Sequence, residues 1–311
     1  MKFRANVSAH RQRAYHARRM SSSWLEQFTA GRTLLIDGGT GSELKRRGVP
    51  LRNHDVWSGL ASLSHKEVLR EVHADYIEAG AQVITTNTFG TSRFVLAAAG
   101  MDDRFGEINR RAVEAAMEAR RASGADVAIA GSISCLPPRF DVCAYPDAAI
   151  EKAAYCELAQ LLAELGVDLI ALEMLQDTLH ARLACEAVVE TGLPFWLGVS
   201  CRRDENADAL VAFDFPQTPF AQTLDALLQY GPTVVSAMHS PVDAIAPAID
   251  AIRSRWDGFI GAYPEIDDDA MQPASLAATA LDWRRRGARV LGGCCGTTPE
   301  HIRALTTVLE M

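Results

Sequence analysis

From residue 30 onward the chain repeats one rhythm. A short apolar or β-branched run is followed by a small turn rich in glycine or polar residues, and then by a stretch with apolar positions at helical spacing. Eight such runs occur: Leu34 to Asp37, Val83 to Asn87, Ala128 to Ser132, Leu169 to Glu173, Phe195 to Val199, Thr233 to Ala237, Gly258 to Ala262 and Val290 to Leu291. They are continuously apolar instead of alternating, the pattern of strands covered on both faces. Capping boxes are predicted at Ser64 to Glu67, ahead of Val68, Leu69, Val72 and Ile77, and at Thr297 to Glu300 around Pro299. Ser240-Pro241 likewise precedes Ile245, Ile249 and Ile252 at helical spacing.

Eight strand and helix alternations predict an α/β fold, a single (β/α)8 TIM barrel, with a doubly wound open sheet as the alternative. No Pro/Gly/Ser-rich linker interrupts residues 30 to 311, so one domain over 21–311 is expected. Gly48 to His65 and Cys135 to Pro146 are long enough to be loops over one end of the barrel. In such barrels the chemistry gathers where strands end. The residues there are Asp37, Asn87, Ser134 with Cys135, Glu173, Cys201, His239, Tyr263 with Glu265, and Cys294 with Cys295.

Charge changes the picture at one end of the chain. The formal net charge is −8, yet residues 1 to 20 carry Lys2, Arg4, Arg11, Arg13, Arg18 and Arg19 and no acid, so the remainder stands at −14. Residues 1–20 are therefore set apart as a basic extension, expected to be disordered and dispensable, or a transit segment. An acidic body argues against nucleic acid as a partner. No apolar run approaches the roughly 20 residues of a membrane span, which argues against a membrane. Seven cysteines, an odd number scattered through a core-forming chain without a secretory signal, suit free thiols in a reducing compartment such as the cytoplasm.

The candidate chemistry centres on Gly292-Gly293-Cys294-Cys295-Gly296-Thr297-Thr298-Pro299. Two adjacent thiols are too few to hold a tetrahedral zinc ion, and His239, two barrel strands away on the same rim, offers a third donor. Cys201 is the competing third ligand. A site with three protein ligands keeps one position open, which marks a reactive centre more than a structural one.

This glycine and cysteine motif resembles the signature of the zinc-dependent homocysteine S-methyltransferases. Asp37-Gly38-Gly39-Thr40-Gly41, Thr86-Asn87-Thr88-Phe89 and Glu173 resemble the family in the same order, and the likeness runs from about residue 32 to the end. It implies a Zn2+ cofactor held by His239, Cys294 and Cys295, and a small thiol such as homocysteine that takes a methyl group from a small sulfonium donor, S-methylmethionine or S-adenosylmethionine. It implies that Asp37, beside Gly38, and Glu173 hold the amino group of the acceptor, with Asn87 in support.

Two positions depart from the family. His239 stands where a third cysteine is usual, and Glu265 stands where asparagine is common, adding a carboxylate for a substrate amine or a cationic donor. The competing readings are a zinc lyase or hydrolase using bound water, and a noncatalytic zinc- or thiol-binding protein. The sequence leaves homo-oligomerisation open.

Overall fold

The computed structural model describes residues 23–51, 56–135, 137, 141–205, 207, 209–266 and 271–310. The basic segment 1–20 lies outside the described residues, as do parts of both long loops. Among the described residues ten strands occur in chain order: β1 (Leu34–Leu35), β2 (Val83–Thr85), β3 (Ala128–Ser134), β4 (Leu169–Leu175), β5 (Phe195–Val199), β6 (Cys201–Arg203), β7 (Leu210–Ala212), β8 (Val234–Met238), β9 (Phe259–Tyr263) and β10 (Ala288–Leu291). Eight form one sheet in the order β1-β10-β9-β8-β5-β4-β3-β2. Its strand pairings are all parallel.

A single parallel bridge between Ile36 and Val83 joins the two ends of that order, flanked by bonds from Asp37 N to Val83 O (3.0 Å) and from Gln82 N to Leu35 O (2.8 Å). The sheet thus closes into the expected (β/α)8 barrel. Each of the eight apolar runs became a strand. The antiparallel ribbon β6-β7 was not foreseen, because three residues per arm carry too little pattern to be seen.

Burial divides the strands into two faces, as the continuous apolar runs require. Leu34, Ile36, Val83, Ala128, Ala130, Leu169, Ala171, Trp196, Val234 and Val290 fill the barrel. Leu35, Ile84, Ile129, Ile170, Leu172, Leu197, Val235 and Leu291 face the surrounding helices. The helix Ser23–Thr29 belongs to the inner cluster: Trp24 meets Trp196 edge to face at 6.4 Å and Phe28 stacks on it at 6.5 Å. It packs onto the barrel interior around Trp196, where β5 begins, so its rings complete the core at the end opposite the site.

Local reasons govern the helix starts, and here several expectations are corrected. The helix Lys66–Glu78 begins after His65 with no side-chain cap, and Ser64 hydrogen-bonds the His65 ring instead. The last helix, Pro299–Glu310, starts directly after Thr298, and the Thr297 hydroxyl donates to Cys294 O instead of capping it. Thr298 N donates to His301 Nδ1 (3.2 Å), so His301 fills the position expected for Glu300, which pairs with Arg303. Burial lowers the pKa of His301, leaving Nε2–H to donate to Met271 O at 2.9 Å. In the helix Val242–Arg253, Pro247 lacks the N–H that Asp243 O would accept, and Arg203 Nη2 supplies a bond to that oxygen at 3.2 Å.

Candidate active site and metal centre

At the C-terminal end of the barrel a cavity is lined by residues from β1, β2, β3, β4, β8, β9 and β10 and the segments that follow them. Two of these strands reach it by the same device. In β4, Ala171 points in and Leu172 out, so Glu173 points in and Met174 should turn away. Instead Met174 takes a left-handed φ of +54°, the pairing with β5 slips between Leu172 and Leu175, and both Glu173 and Met174 line the cavity. In β8, Val234 and Met238 point in while Val235 and Ala237 point out. His239 then takes φ +45°, and Met238 and His239 line the cavity together. Such a conformation costs a residue with a side chain of order 1–3 kcal/mol. A third left-handed residue, Trp57 at φ +49°, lines the same cavity from the loop before β2.

The cysteine turn is built by the glycines around it. A Cβ on Gly39 would come 2.6 Å from Cys294 O, and one on Gly296, at φ +79°, would come 1.8 Å from Ile266 O. Glycine at 39 lets the first loop touch the cysteine turn, and glycine at 296 lets that turn approach the segment after β9. Thr297, fully buried, ties them: its hydroxyl donates to Cys294 O (2.6 Å) and accepts from Gly39 N (3.1 Å). This bridging role carried no signal in the sequence, where Thr297 reads as a cap.

His239, Cys294 and Cys295 present one nitrogen and two sulfurs, all within 4.8 Å of one another. Among the described residues this is the only such group of three. His239 Nδ1 lies 3.5 Å from Cys294 Sγ, and Nε2 lies 3.2 Å from Glu265 Oε2. The Phe213 ring packs on the imidazole at 5.1 Å. Cys295 is held well below the ordinary thiol range by its hydrogen bond from Cys294 and by His239. Cys294 is raised by the same pairing and by burial. Burial opposes a charged His239, but Cys295 and Glu265 outweigh it and raise its pKa. Cys201 is not part of this group. Its thiol is buried beside Ser240 Oγ (3.7 Å) and burial pushes it up to about 12, so it is corrected from competing ligand to core residue.

Two buried carboxylates share the cavity with the sulfurs. Asp37 accepts from Thr85 N (2.7 Å) and Thr85 Oγ1 (3.1 Å), and burial still drives its pKa well above the usual range, with Glu173 adding repulsion. Glu173 accepts a short hydrogen bond from Ser132 Oγ. Burial pushes it up to about 7, the Ser132 bond lowers it in part, and Cys295 and His239 act in opposite directions. Gly38 lies on the wall, where a Cβ would strike Thr297 Oγ1 at 2.6 Å.

Asn87 also lines the cavity, but its amide is engaged with Ser58: Oδ1 accepts from Ser58 Oγ (2.6 Å) and Nδ2 donates to Ser58 O (2.9 Å). It therefore ties the Trp57-Ser58 segment to β2. Glu265 is not among the residues that line the cavity, and stands behind His239. Tyr263, unassigned from the sequence, lines it with a buried hydroxyl that has no hydrogen-bond partner.

Fold and site together define an enzyme of the (β/α)8 class whose sulfur and imidazole donors face two carboxylates. The homocysteine S-methyltransferase family model matches residues 34–309, and the chain belongs to that family: it is a methyltransferase. It is 30% identical to a selenocysteine methyltransferase of Astragalus bisulcatus, over 94% of this chain and 97% of that one. It is 28% identical to homocysteine S-methyltransferase 4 of Zea mays, over 90% of each. Among solved structures, the homocysteine methyltransferase MmuM of Escherichia coli in its metallated form superposes with a TM-score of 0.74 at 25% identity, over 88% of this chain and 96% of that one. The substrates of this family of enzymes are small molecules, and a metal at the His239, Cys294 and Cys295 group agrees with both the donor set and the metallated relative. Among the described residues no helix is long and apolar enough to cross a membrane.

Proposed function

We propose that the protein transfers a methyl group from a small sulfonium donor, S-methylmethionine in the first place, to the thiol of homocysteine held at a zinc site formed by His239, Cys294 and Cys295. The carrying observation is that these three donors and the buried carboxylates of Asp37 and Glu173 line one cavity. The donor set suits zinc: Zn–N and Zn–S bonds of about 2.05 and 2.3 Å at a tetrahedral angle place N and S about 3.6 Å apart. His239 Nδ1 and Cys294 Sγ are 3.5 Å apart. Zinc, when bound, supplies the positive charge that keeps an acceptor thiol deprotonated at neutral pH.

The chain's own residues account for the rest. Asp37 and Glu173 face a substrate ammonium. Their raised pKa values mean that an arriving cation favours the ionised carboxylates and is bound by them. In the transfer the acceptor sulfur forms a bond to the methyl carbon as the donor's C–S bond breaks. That electron pair stays on the donor sulfur, which leaves as a neutral thioether. Opposite charges are annihilated, so apolar surroundings favour the step, and Trp57, Phe89, Met174 and Met238 supply them. Tyr263 adds an uncommitted hydroxyl.

The cytoplasm suits the chemistry, since all seven cysteines are unpaired. The test is zinc-loaded protein incubated with homocysteine and methyl-deuterated S-methylmethionine or S-adenosylmethionine, with selenocysteine as a second acceptor, followed by mass spectrometry. Labelled methionine that disappears on chelation is expected. No label from any pair would overturn the reading, and zinc-dependent turnover without a thiol would select the lyase or hydrolase.

A further inference from the structure

Of the residues expected to hold metal or substrate, Cys201 set aside, Glu265 is the one missing from the cavity wall. It follows β9, with its backbone N–H donating to Ser240 O (3.2 Å), and its carboxylate turns toward the far side of the His239 ring. The two ring nitrogens are thereby divided. Nδ1 faces Cys294 Sγ at 3.5 Å and Nε2 faces Glu265 Oε2 at 3.2 Å. A neutral imidazole that gives a lone pair to a metal through one nitrogen keeps its proton on the other. Here the nitrogen beside the sulfurs is Nδ1, so the proton belongs on Nε2, where a carboxylate is waiting. Phe213 against the ring and the left-handed backbone at His239 hold it in that direction.

We infer that Glu265 acts on the metal centre through His239: its carboxylate fixes the tautomer that frees Nδ1, and it brings to the centre the negative charge that a third thiolate would have carried. This rests on the zinc reading above. Two thiolates and a neutral imidazole around Zn2+ sum to zero. With a carboxylate one hydrogen bond away the assembly carries −1, as three thiolates would. An imidazole that donates to a carboxylate is also the more basic ligand. The sulfur of a bound acceptor thereby stays more electron-rich than at a neutral centre, and nucleophilicity falls as thiol pKa falls. Glu265 is a positioning residue and touches no substrate. The histidine and the glutamate, two separate oddities of the sequence, are one functional unit.

The test is zinc affinity of the full-length protein, read by competition with a chromogenic chelator, for wild type, Glu265→Ala and Glu265→Gln, each also in a His239→Cys background. Loss of such an outer partner weakens binding about 10- to 100-fold. That loss is expected for Glu265→Ala, with Glu265→Gln between it and wild type. When residue 239 is cysteine, which has no N–H to hold, Glu265→Ala is expected to change affinity by no more than about twofold. Nitrogen-15 spectra of the zinc-loaded wild type are expected to show the metal on Nδ1 and the proton on Nε2.

Unchanged affinity in Glu265→Ala, equal losses in both backgrounds, or a metal on Nε2 would each overturn the inference. Glu265→Gln keeps the shape of the side chain and decides the matter if the alanine variant does not fold. Methyl transfer is scored separately. Zinc-loaded wild type that transfers nothing defeats the functional reading, whereas affinity indifferent to Glu265 defeats this one. A wild type that takes up no zinc defeats both.

Discussion

At the scale of single residues, the site is a set of ionisable groups held largely out of water. Glu173 shows the consequence. Its pKa in the fold, about 7, lies above the ordinary 4.5 because burial penalises the ionised form. A carboxyl group raised in this way contributes its stability below pH 4.5 and loses it as pH rises through 7. For metal-free protein the cost of ionising Glu173 reaches about 3 kcal/mol above pH 8. Glu173→Gln is therefore expected to unfold at higher urea than wild type at pH 8 and to differ little at pH 5, while its methyl transfer falls about 100-fold. Parallel pH dependence of the two proteins in urea titrations would contradict this. Identity was legible at this scale and direction was not. Asp37, Asn87, Glu173, His239 and the cysteines all stand at strand ends in the sequence. Strict alternation, however, would have turned either Glu173 or Met174, and either Met238 or His239, away from the cavity.

At the scale of elements, the turn after β10 does the assembling. It was legible as a strand, a glycine turn and a helix, because Gly-Gly-Cys-Cys-Gly followed by Thr-Thr-Pro leaves the backbone few other choices. The sequence could not tell which threonine caps the helix, since Thr297 and Thr298 both suit and the choice depends on Gly39, some 260 residues away. Thr297 faces inward and joins Gly39 N to Cys294 O. Thr297→Val keeps the shape and leaves both backbone groups without their hydroxyl partner, which is expected to cost about 1–3 kcal/mol. Zinc affinity should fall with it, because the carbonyl released belongs to Cys294, one of the proposed ligands. Thr297→Ser restores the hydroxyl and is expected to recover most of both. Thermal melts with chelator titrations of the three proteins check this, and a serine variant as impaired as valine would show that the methyl group matters instead.

For the molecule as a whole, the barrel was legible because a closed parallel sheet buries both faces of every strand, and eight continuous apolar runs can satisfy that demand together. The helix Ser23–Thr29 was not legible as part of it. Its seven residues are too short for a helical period to stand out, and only tertiary contact shows Trp24 and Phe28 closing the interior against Trp196. Trp24→Ala is expected to lower stability by about 3–5 kcal/mol in urea unfolding. It should leave methyl transfer at low temperature within about twofold of wild type, since Trp24 does not line the cavity. A loss of activity equal to the loss of folded protein at every temperature would fit, and a selective loss of activity would not.

The left-handed residues at 174 and 239 also bear on any attempt to move this centre elsewhere. A designer who copied the histidine, the two cysteines and the two acids onto the straight strands of another barrel would obtain the right side chains aimed in the wrong directions. The graft must include the kinks themselves. Valine or isoleucine at position 174 would resist φ > 0 and pull the strand straight. Glycine there would accept the bend without enforcing it. What has to be transplanted is thus two short pieces of backbone, Glu173-Met174 and Met238-His239, each putting two consecutive side chains on one side of a strand.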